Sequence, residues 1–478
     1  TNRVASKVMK NFLFIYLAFG LSVVVCQNKQ LLYNWEVTPQ TLMLNPGSHV
    51  SSQFHAGIPL ASQFHFNAGS SGVSVFDVFA DDGVDINAKI SNTISKLSSR
   101  DFFTVNQQLD VLNFGWLSKG MEPVYFSGGM YQELDVIAYF PKDIAVLAWE
   151  GNREYIGKAY DFNDVSARAD LLTVYHFGVN KQVSKKLTAG VRLKLYSSLI
   201  SVSSTRNKGA FKTSIREGSA NVYEHTITDL DVEVKTSGFI SLDALEQSQV
   251  SKKLLGRALL GGNLGIGLDA GMTYQFDNQL SLTASVLDLG AIFHTNDTEL
   301  YKAKGDYTLD GIELIFPELV NGEPAIPYYD NLEDDIAREI PVDTLNTGYT
   351  QLRPTKINAG LHYDFGRFVG DKGGCNCKNS GTKQKRVSQA GVQYFSIFRP
   401  RGLQFAGTLY YTRRFGKTLS IKTTYTLDSY SAKNVGAGLF LNLGGVNLFL
   451  AADNLLQMSN LAKANSVSLQ VGLNYILN

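Results

Sequence analysis

The chain has 478 residues, and its 44 Lys and Arg residues nearly balance its 43 Asp and Glu residues, which argues against a nucleic-acid partner. Only 18% of the residues are charged and 11% are aromatic, with 43 glycines and 11 prolines. This composition is low in charge for a soluble protein and typical of a lipid-facing barrel with aromatic girdles. The three cysteines, Cys26, Cys375 and Cys377, are too few for a disulfide scaffold.

The start of the chain has the pattern of a secretory signal. An apolar run, Phe12–Val25, follows Lys10 and ends at Cys26. This run is shorter than the roughly 20 residues of a membrane-spanning helix. We expect Thr1–Val8 to precede the natural start, and residues 1–26 to be an upstream extension plus a signal peptide cleaved after Cys26. Lipidation of Cys26 is the alternative, but the valines before it make a poor lipoprotein signal.

A short segment separates the signal from the first alternating stretch of the chain. Residues 27–52 include Asn45, Pro46 and Gly47, which favour a turn. The segment lies where a hatch would be expected, so we predict that it folds inward as a plug of the lumen. Residues 53–478 then form the barrel.

Fourteen segments after residue 52 alternate apolar with polar residues. In the last of them Val467, Leu469 and Val471 are separated by polar residues, and the alternation continues to the end of the printed sequence. Strict alternation predicts a strand with one apolar and one polar face. The predicted strands are residues 54–68, 105–111, 124–130, 171–180, 187–198, 264–274, 280–286, 354–366, 388–397, 403–413, 419–427, 435–443, 446–452 and 466–478.

These segments predict an all-β fold, a transmembrane antiparallel β-barrel of about fourteen strands. Sixteen strands are the alternative if residues 199–263 contain another hairpin around Thr226–Val234. The predicted connections support fourteen, because every second connection is short, as the periplasmic turns of outer-membrane barrels are. The short set is residues 118–123, 181–186, 277–278, 414–418 and 444–445, with 367–387 as its long member.

The other connections form the predicted external loops. Residues 84–97 space their isoleucines at intervals of four, which predicts an amphipathic helix. Residues 306–343 carry eleven acidic residues and one basic residue, so they predict an acidic external loop. A solvated loop is the simpler interpretation. Cation bridging to lipopolysaccharide, or binding to a partner's basic patch, is the alternative.

Two clusters of potential metal ligands have simpler interpretations as well. Asp229, Asp231 and Glu233 alternate in a predicted external segment. Solvated charges on a strand edge are the simpler interpretation, and a calcium site is the alternative. Cys375 and Cys377 lie in the long periplasmic turn. An incidental disulfide is the simpler interpretation, and a metal or redox contact is the alternative. The role of the two cysteines stays open, and we predict no metal.

No motif in the chain predicts catalysis. Residues 265–270 fit a GxGxxA dinucleotide pattern, but they lie inside an alternating strand instead of opening a helix. No nucleophile can be paired with a base, and the seven histidines are dispersed. We therefore predict that the protein is not an enzyme and binds no cofactor.

Weak points in the early strands are candidates for a lateral opening. Pro59 lies in the first predicted strand and Gly128 and Gly129 lie in the third. Proline removes a ladder hydrogen bond and glycine weakens a strand, so either can mark a bulge or an opening toward lipid. Ordinary bends of the barrel wall are the alternative.

Four polar residues lie opposite the apolar faces of their strands. They are Arg192, Lys194, Lys422 and Gln470. Their position predicts that they line the lumen, where charged residues usually fill a pore or bind water and each other.

Four short runs resemble the outer-membrane barrels common in Bacteroidota. They are residues 40–47 (QTLMLNPG), 68–72 (AGSSG), 285–290 (SVLDLG) and 452–455 (ADNL). These barrels form an uncharacterised family in the same broad group as the FadL-type hydrophobic-solute channels. That group also includes the PorV and PorP/SprF barrels of the type IX secretion and gliding machinery. The resemblance implies a fourteen-stranded barrel with an N-terminal segment in its lumen.

The expected location is the outer membrane of a Gram-negative bacterium, with outer-membrane lipid and lipopolysaccharide as neighbours. Fourteen strands enclose a lumen too wide for side chains alone to fill. We therefore expect FadL-like passage or capture of a hydrophobic ligand. The alternative is a non-enzymatic accessory barrel that binds proteins of the type IX secretion machinery.

Overall fold

Within the part of the chain that the computed structural model describes, fourteen antiparallel strands follow one another around a closed wall. Each strand is hydrogen-bonded to the next along the chain, and the last strand pairs with the first. Closure leaves no unpaired edge, which a wall in contact with lipid requires. The prediction of an all-β barrel with fourteen strands is confirmed.

The structure describes residues 30–120, 122–216, 222–243, 245–309, 319–320, 323–324, 336–369, 385–428, 430 and 433–477. The strands are β1 (Phe54–Gly57 and Phe64–Ser70), β2 (Phe102–Leu117), β3 (Val124–Tyr139), β4 (Ser166–Gln182), β5 (Leu187–Ile215), β6 (Asn263–Gln275), β7 (Leu280–His294), β8 (Tyr349–Leu352 and Lys356–Phe368), β9 (Arg386–Arg399), β10 (Gly402–Phe415), β11 (Leu419–Asp428), β12 (Asn434–Leu443), β13 (Val446–Ala452) and β14 (Ser466–Leu477). The helices are α1 (Thr41–Leu44), α2 (Val75–Phe79), α3 (Ile86–Lys96), α4 (Lys142–Trp149), α5 (Ile240–Asp243) and α6 (Gln247–Gly256). Within these residues, no helix is both long enough and apolar enough to span a membrane.

Side chains along the strands alternate between a polar interior and an apolar exterior. Leu193 and Ile266 are exposed on the outside of the wall, whereas Arg192 and Lys422 are buried inside it. A soluble protein shows the reverse distribution. A continuous exposed apolar belt is stable only against lipid, so this distribution is that of an outer-membrane β-barrel.

Aromatic side chains gather on the outer wall near the end that carries the short turns. The rings of Phe114 and Trp116 stack with centroids 6.1 Å apart, and those of Trp116 and Phe126 stack at 5.5 Å. Further around the wall, Tyr363 and Phe365 stack at 6.2 Å. Such a girdle marks the level at which the apolar belt meets the headgroups.

The connections sort by length as predicted. The turns that join β2 to β3, β4 to β5, β6 to β7, β10 to β11 and β12 to β13 are short and share one end of the barrel. Longer loops follow β1, β3, β5 and β7 at the other end, which we call the long-loop end. Cys375, Cys377 and most of residues 306–343 lie outside the described residues.

The predicted hairpin within residues 199–263 exists, but it does not enter the barrel. β5 pairs with β6 along residues 187–198, and beyond Ser201 it pairs with the strand Tyr223–Ser237. That strand pairs in turn with Thr298–Leu309. Because β6 already occupies the place beside β5 at membrane depth, these strands extend the wall above the barrel. The alternative of sixteen barrel strands is therefore wrong.

The prediction that Asp229, Asp231 and Glu233 lie on a strand edge is also wrong, because their strand is paired on both sides. Arg206 contacts Asp231 at 3.3 Å and Glu233 at 3.2 Å, and Lys235 contacts Glu233 at 3.4 Å. The protein's own cations thus neutralise these carboxylates. Among the described residues, no group of three or more potential ligands is placed to hold a metal.

The amphipathic helix predicted within residues 84–97 is present as α3. The side chain of Asp85 caps it by accepting hydrogen bonds from the backbone N–H groups of Asn87 and Ala88. Ile94 on its buried face packs with Val146 of α4 and with Tyr160. These loops therefore have an apolar core of their own at the long-loop end of the barrel.

The apolar exterior makes a direct prediction for stability. Leu193→Arg places a charge at membrane depth, and the free energy of unfolding in a bilayer should fall by about 2–4 kcal/mol. Leu456→Arg is the control, because Leu456 is equally exposed, at 65%, but lies in the loop before β14. Urea unfolding in vesicles would measure both. Equal losses for the two variants would contradict the assignment of the belt to lipid.

Candidate functional site

Residues 30–50, which we call the pre-barrel segment, lie inside the barrel. Leu31, Leu32 and Trp35 are fully buried and pack against Phe440 and Phe449 on the inner face of β12 and β13. The indole N–H of Trp35 donates to the Ser420 hydroxyl at 3.2 Å. The segment therefore has an apolar docking site on one side of the lumen.

The other side of the pre-barrel segment approaches β4, β5 and β6 through the predicted plug residues. Asn180 donates to the carbonyl of Pro46 at 2.6 Å, and Asn45 donates to the carbonyl of Met272 at 3.2 Å. A Cβ atom on Gly47 would lie 2.3 Å from the carbonyl oxygen of Gly271. The absence of a side chain at Gly47 therefore permits backbone contact. A plug function for this segment stays a prediction.

Three of the four predicted lumen residues contact either the pre-barrel segment or buried acids. Arg192 donates to the carbonyl of Leu42 at 2.5 Å and lies 3.3 Å from Asp269. Lys422 donates to the carbonyl of Tyr33. Lys194 forms ion pairs with acidic residues of β6 and β7 at 2.9 Å and 2.6 Å.

Gln470, the fourth predicted lumen residue, is fully buried on β14. Its amide oxygen and nitrogen have no hydrogen-bond partner among the described residues. The amide group of Gln470 is therefore suited to bind a buried water.

A network of ion pairs crosses the lumen beside the pre-barrel segment, and its pairings could not be predicted from the sequence. Arg353, between the halves of β8, lies 2.8 Å from Glu133 of β3, and Arg399 of β9 lies 2.7 Å from Asp135 of β3. Lys356 of β8 completes the link with Asp288 of β7 at 2.8 Å. Since β3 and β9 lie on opposite walls, these pairs link the two sides of the lumen across the path of a solute moving along the axis.

A cavity of about 60 Å³ remains between the pre-barrel segment and the ion-pair network. Met43 and Leu44 form part of its lining on one side, and Glu133, Asp288 and Arg399 on the other. A space of this size holds roughly four to six waters. The pre-barrel segment and the ion pairs therefore leave room for only a few waters in this part of the lumen.

The candidate lateral opening at Pro59 coincides with an interruption of β1. Residues 58–61 leave the ladder and are exposed, and Leu60 takes a left-handed backbone conformation with φ +62°. The interruption is still held at its ends, because the N–H of Ile58 donates to the carbonyl of Leu473 at 3.1 Å. The N–H of Leu60 donates to the carbonyl of Val111 in β2 at 3.3 Å.

Gly129 lies at the same level two strands further along the wall. The register between β2 and β3 shifts at Val111, and a Cβ atom on Gly129 would lie 2.2 Å from the carbonyl oxygen of Leu112. β3 itself stays paired on both sides through Gly128 and Gly129. The glycines therefore accommodate a bulge in β2 next to the interruption in β1, without interrupting β3.

The interruption in β1 is covered from inside by the pre-barrel segment. Gln40 donates through its amide to the carbonyl of Ser62 at 2.9 Å and to the side chain of Asn474 at 2.8 Å. Asn474 lies on β14, the other neighbour of β1. The side chain of Gln40 thus links β1 and β14 at the interruption of β1.

A second interruption, in β8, has the opposite orientation. Arg353 and Pro354 are buried, and the guanidinium group of Arg353 enters the lumen network. In β1, by contrast, the displaced residues face lipid. The β1 interruption is therefore the better candidate for a path between the lumen and the membrane.

An ion pair fixes the pre-barrel segment near the short-turn end. The Lys385 ammonium lies 3.1 Å from the Glu36 carboxylate and also donates to the backbone carbonyl of Glu36. Burial raises the pKa of Glu36, but Lys385 and other nearby cations outweigh it and lower that pKa to about 2. The pair therefore stabilises the docked segment above pH 4.5, and this contribution is lost as the pH falls toward 2.

Together these features define an outer-membrane β-barrel whose lumen is filled by its own pre-barrel segment and by buried ion pairs. The chain belongs to a protein family of unknown function, DUF5723, whose model matches residues 46–453. No functionally curated protein sequence matches the chain.

Comparison with solved structures finds similarity to two toluene transporters and to a FadL homologue. The toluene transporter TbuX of Ralstonia pickettii is 9% identical, with a TM-score of 0.42 over 93% of this chain and 95% of that one. A FadL homologue of Pseudomonas aeruginosa is 7% identical, with a TM-score of 0.42 over 96% and 99%. The toluene transporter TodX of Pseudomonas putida is 9% identical, with a TM-score of 0.33 over 95% and 93%. With TM-scores this low, the likenesses say nothing about the solute.

The ion-pair network predicts a large cost for removing one partner. Arg353→Met leaves Glu133 without its nearest cation, so the free energy of unfolding should fall by about 3–5 kcal/mol. Arg206→Met breaks a half-exposed pair above the barrel and should cost about 0–1 kcal/mol. Denaturant titration in detergent would compare them, and a loss below 1 kcal/mol for Arg353→Met would contradict a tightly paired lumen.

The Glu36 pair predicts how the segment responds to acid. With Trp116→Phe and Trp149→Phe in the background, Trp35 is the single tryptophan and reports docking by its emission. Emission should stay constant until the pH approaches about 2, and Lys385→Gln should raise the pH at which it shifts. Lys186→Gln is the control, because Lys186 contacts a carbonyl in the β6–β7 turn. The same midpoint in both variants would show that Lys385 does not set the Glu36 pKa.

Proposed function

We propose that this barrel captures small hydrophobic molecules and passes them sideways between its lumen and the membrane at the β1 interruption. The pre-barrel segment is the hatch of this path. The observation that carries the proposal is the contact of Gln40 with both Ser62 and Asn474, which joins the segment to the two sides of the interruption.

The chemistry of the wall at the interruption favours an apolar solute. Ile58 and Leu60 are exposed toward lipid, and Leu60 is 59% exposed. A solute that leaves the lumen here meets apolar side chains and then acyl chains, so a hydrophobic molecule gains free energy along the path. A polar solute would lose its hydration at the same place.

The lumen network supports a lateral path over an axial one. An axial path would have to separate ion pairs such as Arg353–Glu133 and Arg399–Asp135, and a buried charge without a partner is costly. A lateral path needs the release of the Gln40 contacts and a local displacement of residues 58–61, which breaks the backbone hydrogen bonds of Ile58 to β14 and of Leu60 to β2. Each of these hydrogen bonds contributes about 1 kcal/mol.

Several finer predictions from the sequence stand beside this proposal. Export through a cleaved signal peptide and a Bacteroidota source stay predictions, as does the absence of enzymatic activity. An accessory role in type IX secretion also stays a prediction, and no contact among the described residues favours it.

Removal of the hatch contacts tests the function. Gln40→Ala combined with Asn474→Ala should increase uptake of a monoaromatic hydrocarbon into proteoliposomes by roughly 30-fold, because two hydrogen bonds of about 1 kcal/mol each that hold the closed state are lost. Deletion of residues 28–50 should also raise permeability to small polar solutes. Asn447→Ala is the control, because the Asn447 amide donates within its own turn.

Two outcomes would overturn the proposal. The first is unchanged hydrocarbon uptake in both the double variant and the deletion. The second is a double variant that admits small polar solutes and hydrocarbons to the same extent, since that would indicate an axial pore and not a lateral path.

A further inference from the structure

The loop before β6 lies against the outer face of the barrel. Arg257–Gly261 form a π-helical turn at the end of α6. The Tyr175 hydroxyl donates to the carbonyl of Ala258 at 2.9 Å, and the Ser197 hydroxyl donates to the carbonyl of Arg257 at 2.6 Å. Both side chains point away from the lumen, because the residues beside them along their own strands, Val174 and Tyr196, face inward and pack in a cluster with Met43. The turn is therefore on the lipid side of the wall.

The turn lies near the top of the apolar belt. Ser197 is ten residues along β5 from Leu187, which joins the short turn, so it lies about 33 Å along the strand. With the usual tilt of about 35–45°, this corresponds to a height of roughly 25 Å, which is the height of the apolar band in outer-membrane barrels. The turn is thus at the level where acyl chains meet headgroups on the long-loop side.

The turn is held rigidly in a strained conformation. Arg257 donates to the carbonyl of Leu199 at 3.0 Å and to that of Gly238 at 2.7 Å, and it forms an ion pair with Asp297. Leu260 has φ +68°, an outlier for a bulky residue. Strain of this kind persists where the surrounding structure enforces it, often at a binding site.

An open groove of about 390 Å³ lies beside this turn. Its lining residues are Leu260, Gly261, Gly262, Leu264, Phe293, Thr295 and Asn296. Leu264 and Phe293 belong to the outward faces of β6 and β7, so the groove is continuous with the lipid-facing belt. Its size is in the range of ligand clefts, and its apolar lining suits an acyl chain.

Positive charge lies on the helix that leads into the turn. Lys252 and Lys253 are exposed on α6, and Lys252 lies one turn before the exposed Leu255 on the same helical face. Arg257 neutralises Asp297 next to the groove. Glu246 is the acidic residue at the start of this helix. It is six residues before Lys252, so the two lie about 9 Å apart along the helix axis. Lys253 donates to the carbonyl of Ser241 at 3.4 Å and keeps two further N–H donors. An anionic headgroup above the groove would therefore meet Lys252 and the remaining donors of Lys253.

We propose that the groove is a binding site for the lipid A part of lipopolysaccharide. One acyl chain lies between Leu260, Leu264 and Phe293, and a phosphate group binds Lys252 and Lys253. The site is independent of the hatch on β1, which lies on another part of the wall.

Lipid retention tests the proposal. The full-length barrel would be reconstituted in phosphatidylcholine vesicles that contain a small fraction of lipid A, extracted in mild detergent and analysed by native mass spectrometry. Wild-type protein should retain one lipid A. Lys252→Gln combined with Lys253→Gln should weaken retention roughly 30-fold, because two lysines near the charged surface are lost. Leu260→Asn should weaken it by about tenfold, and asparagine tolerates the left-handed backbone.

Matched variants separate this site from general effects. Arg153→Gln removes an exposed cation at the same end of the barrel, and Leu456→Asn removes an exposed leucine there. Neither should change retention. Equal retention by all variants would overturn the proposal, and so would equal retention of phosphatidylglycerol or of dephosphorylated lipid A by the wild type. Heat-modifiable migration on gels shows that each variant is folded, so loss of retention cannot be confused with misfolding.

Discussion

Every backbone N–H and C=O group at membrane depth must find a partner within the protein, because the hydrocarbon region offers no water. Fourteen strands meet this requirement only by closing β14 onto β1, and closure at this strand number leaves a wide lumen. The lumen must therefore be filled by other parts of the protein. The pre-barrel segment occupies one part with Trp35 and its apolar neighbours, and the Glu133 and Asp135 ion pairs close another.

The same constraint explains why the β1 interruption matters. Residues 58–61 lie outside the ladder, so the polar backbone beside them needs partners from elsewhere. The carbonyl of Ser62 obtains one from Gln40, a residue of the pre-barrel segment. A wall that depends on a removable segment for one of its hydrogen bonds changes its local stability when that segment moves. The β8 interruption has no such dependence, because Arg353 closes it with an ion pair of the wall itself.

The sequence predicts the wall well and the lumen poorly, and the reason is physical. Alternation reports on one face of one strand, and it correctly located all fourteen strands within the described residues. It cannot report which inward charges meet across the lumen, because Arg353 and Glu133 are 220 residues apart and belong to opposite walls. It also cannot explain Phe440 and Phe449, whose apolar side chains face inward and pack against Leu31, Leu32 and Trp35 of the pre-barrel segment. The contacts of Gln40 with Ser62 and Asn474 cannot be predicted for the same reason, since these two residues become neighbours only when β14 pairs with β1.

The barrel holds the pre-barrel segment mainly by its backbone carbonyl groups. Arg192 binds the carbonyl of Leu42, Lys422 binds that of Tyr33, and Ser285 binds that of Leu44 at 2.6 Å. Displacement of the segment would leave the Lys422 ammonium with Gln393 as its remaining described hydrogen-bond partner, so the closed state is strongly favoured. A solute that opens the path must therefore bind the open state more tightly than the closed one, because a ligand shifts an equilibrium only by its differential affinity. A local displacement at Gln40 keeps Arg192 and Lys422 paired, and for this reason a partial opening at β1 costs far less than expulsion of the whole segment.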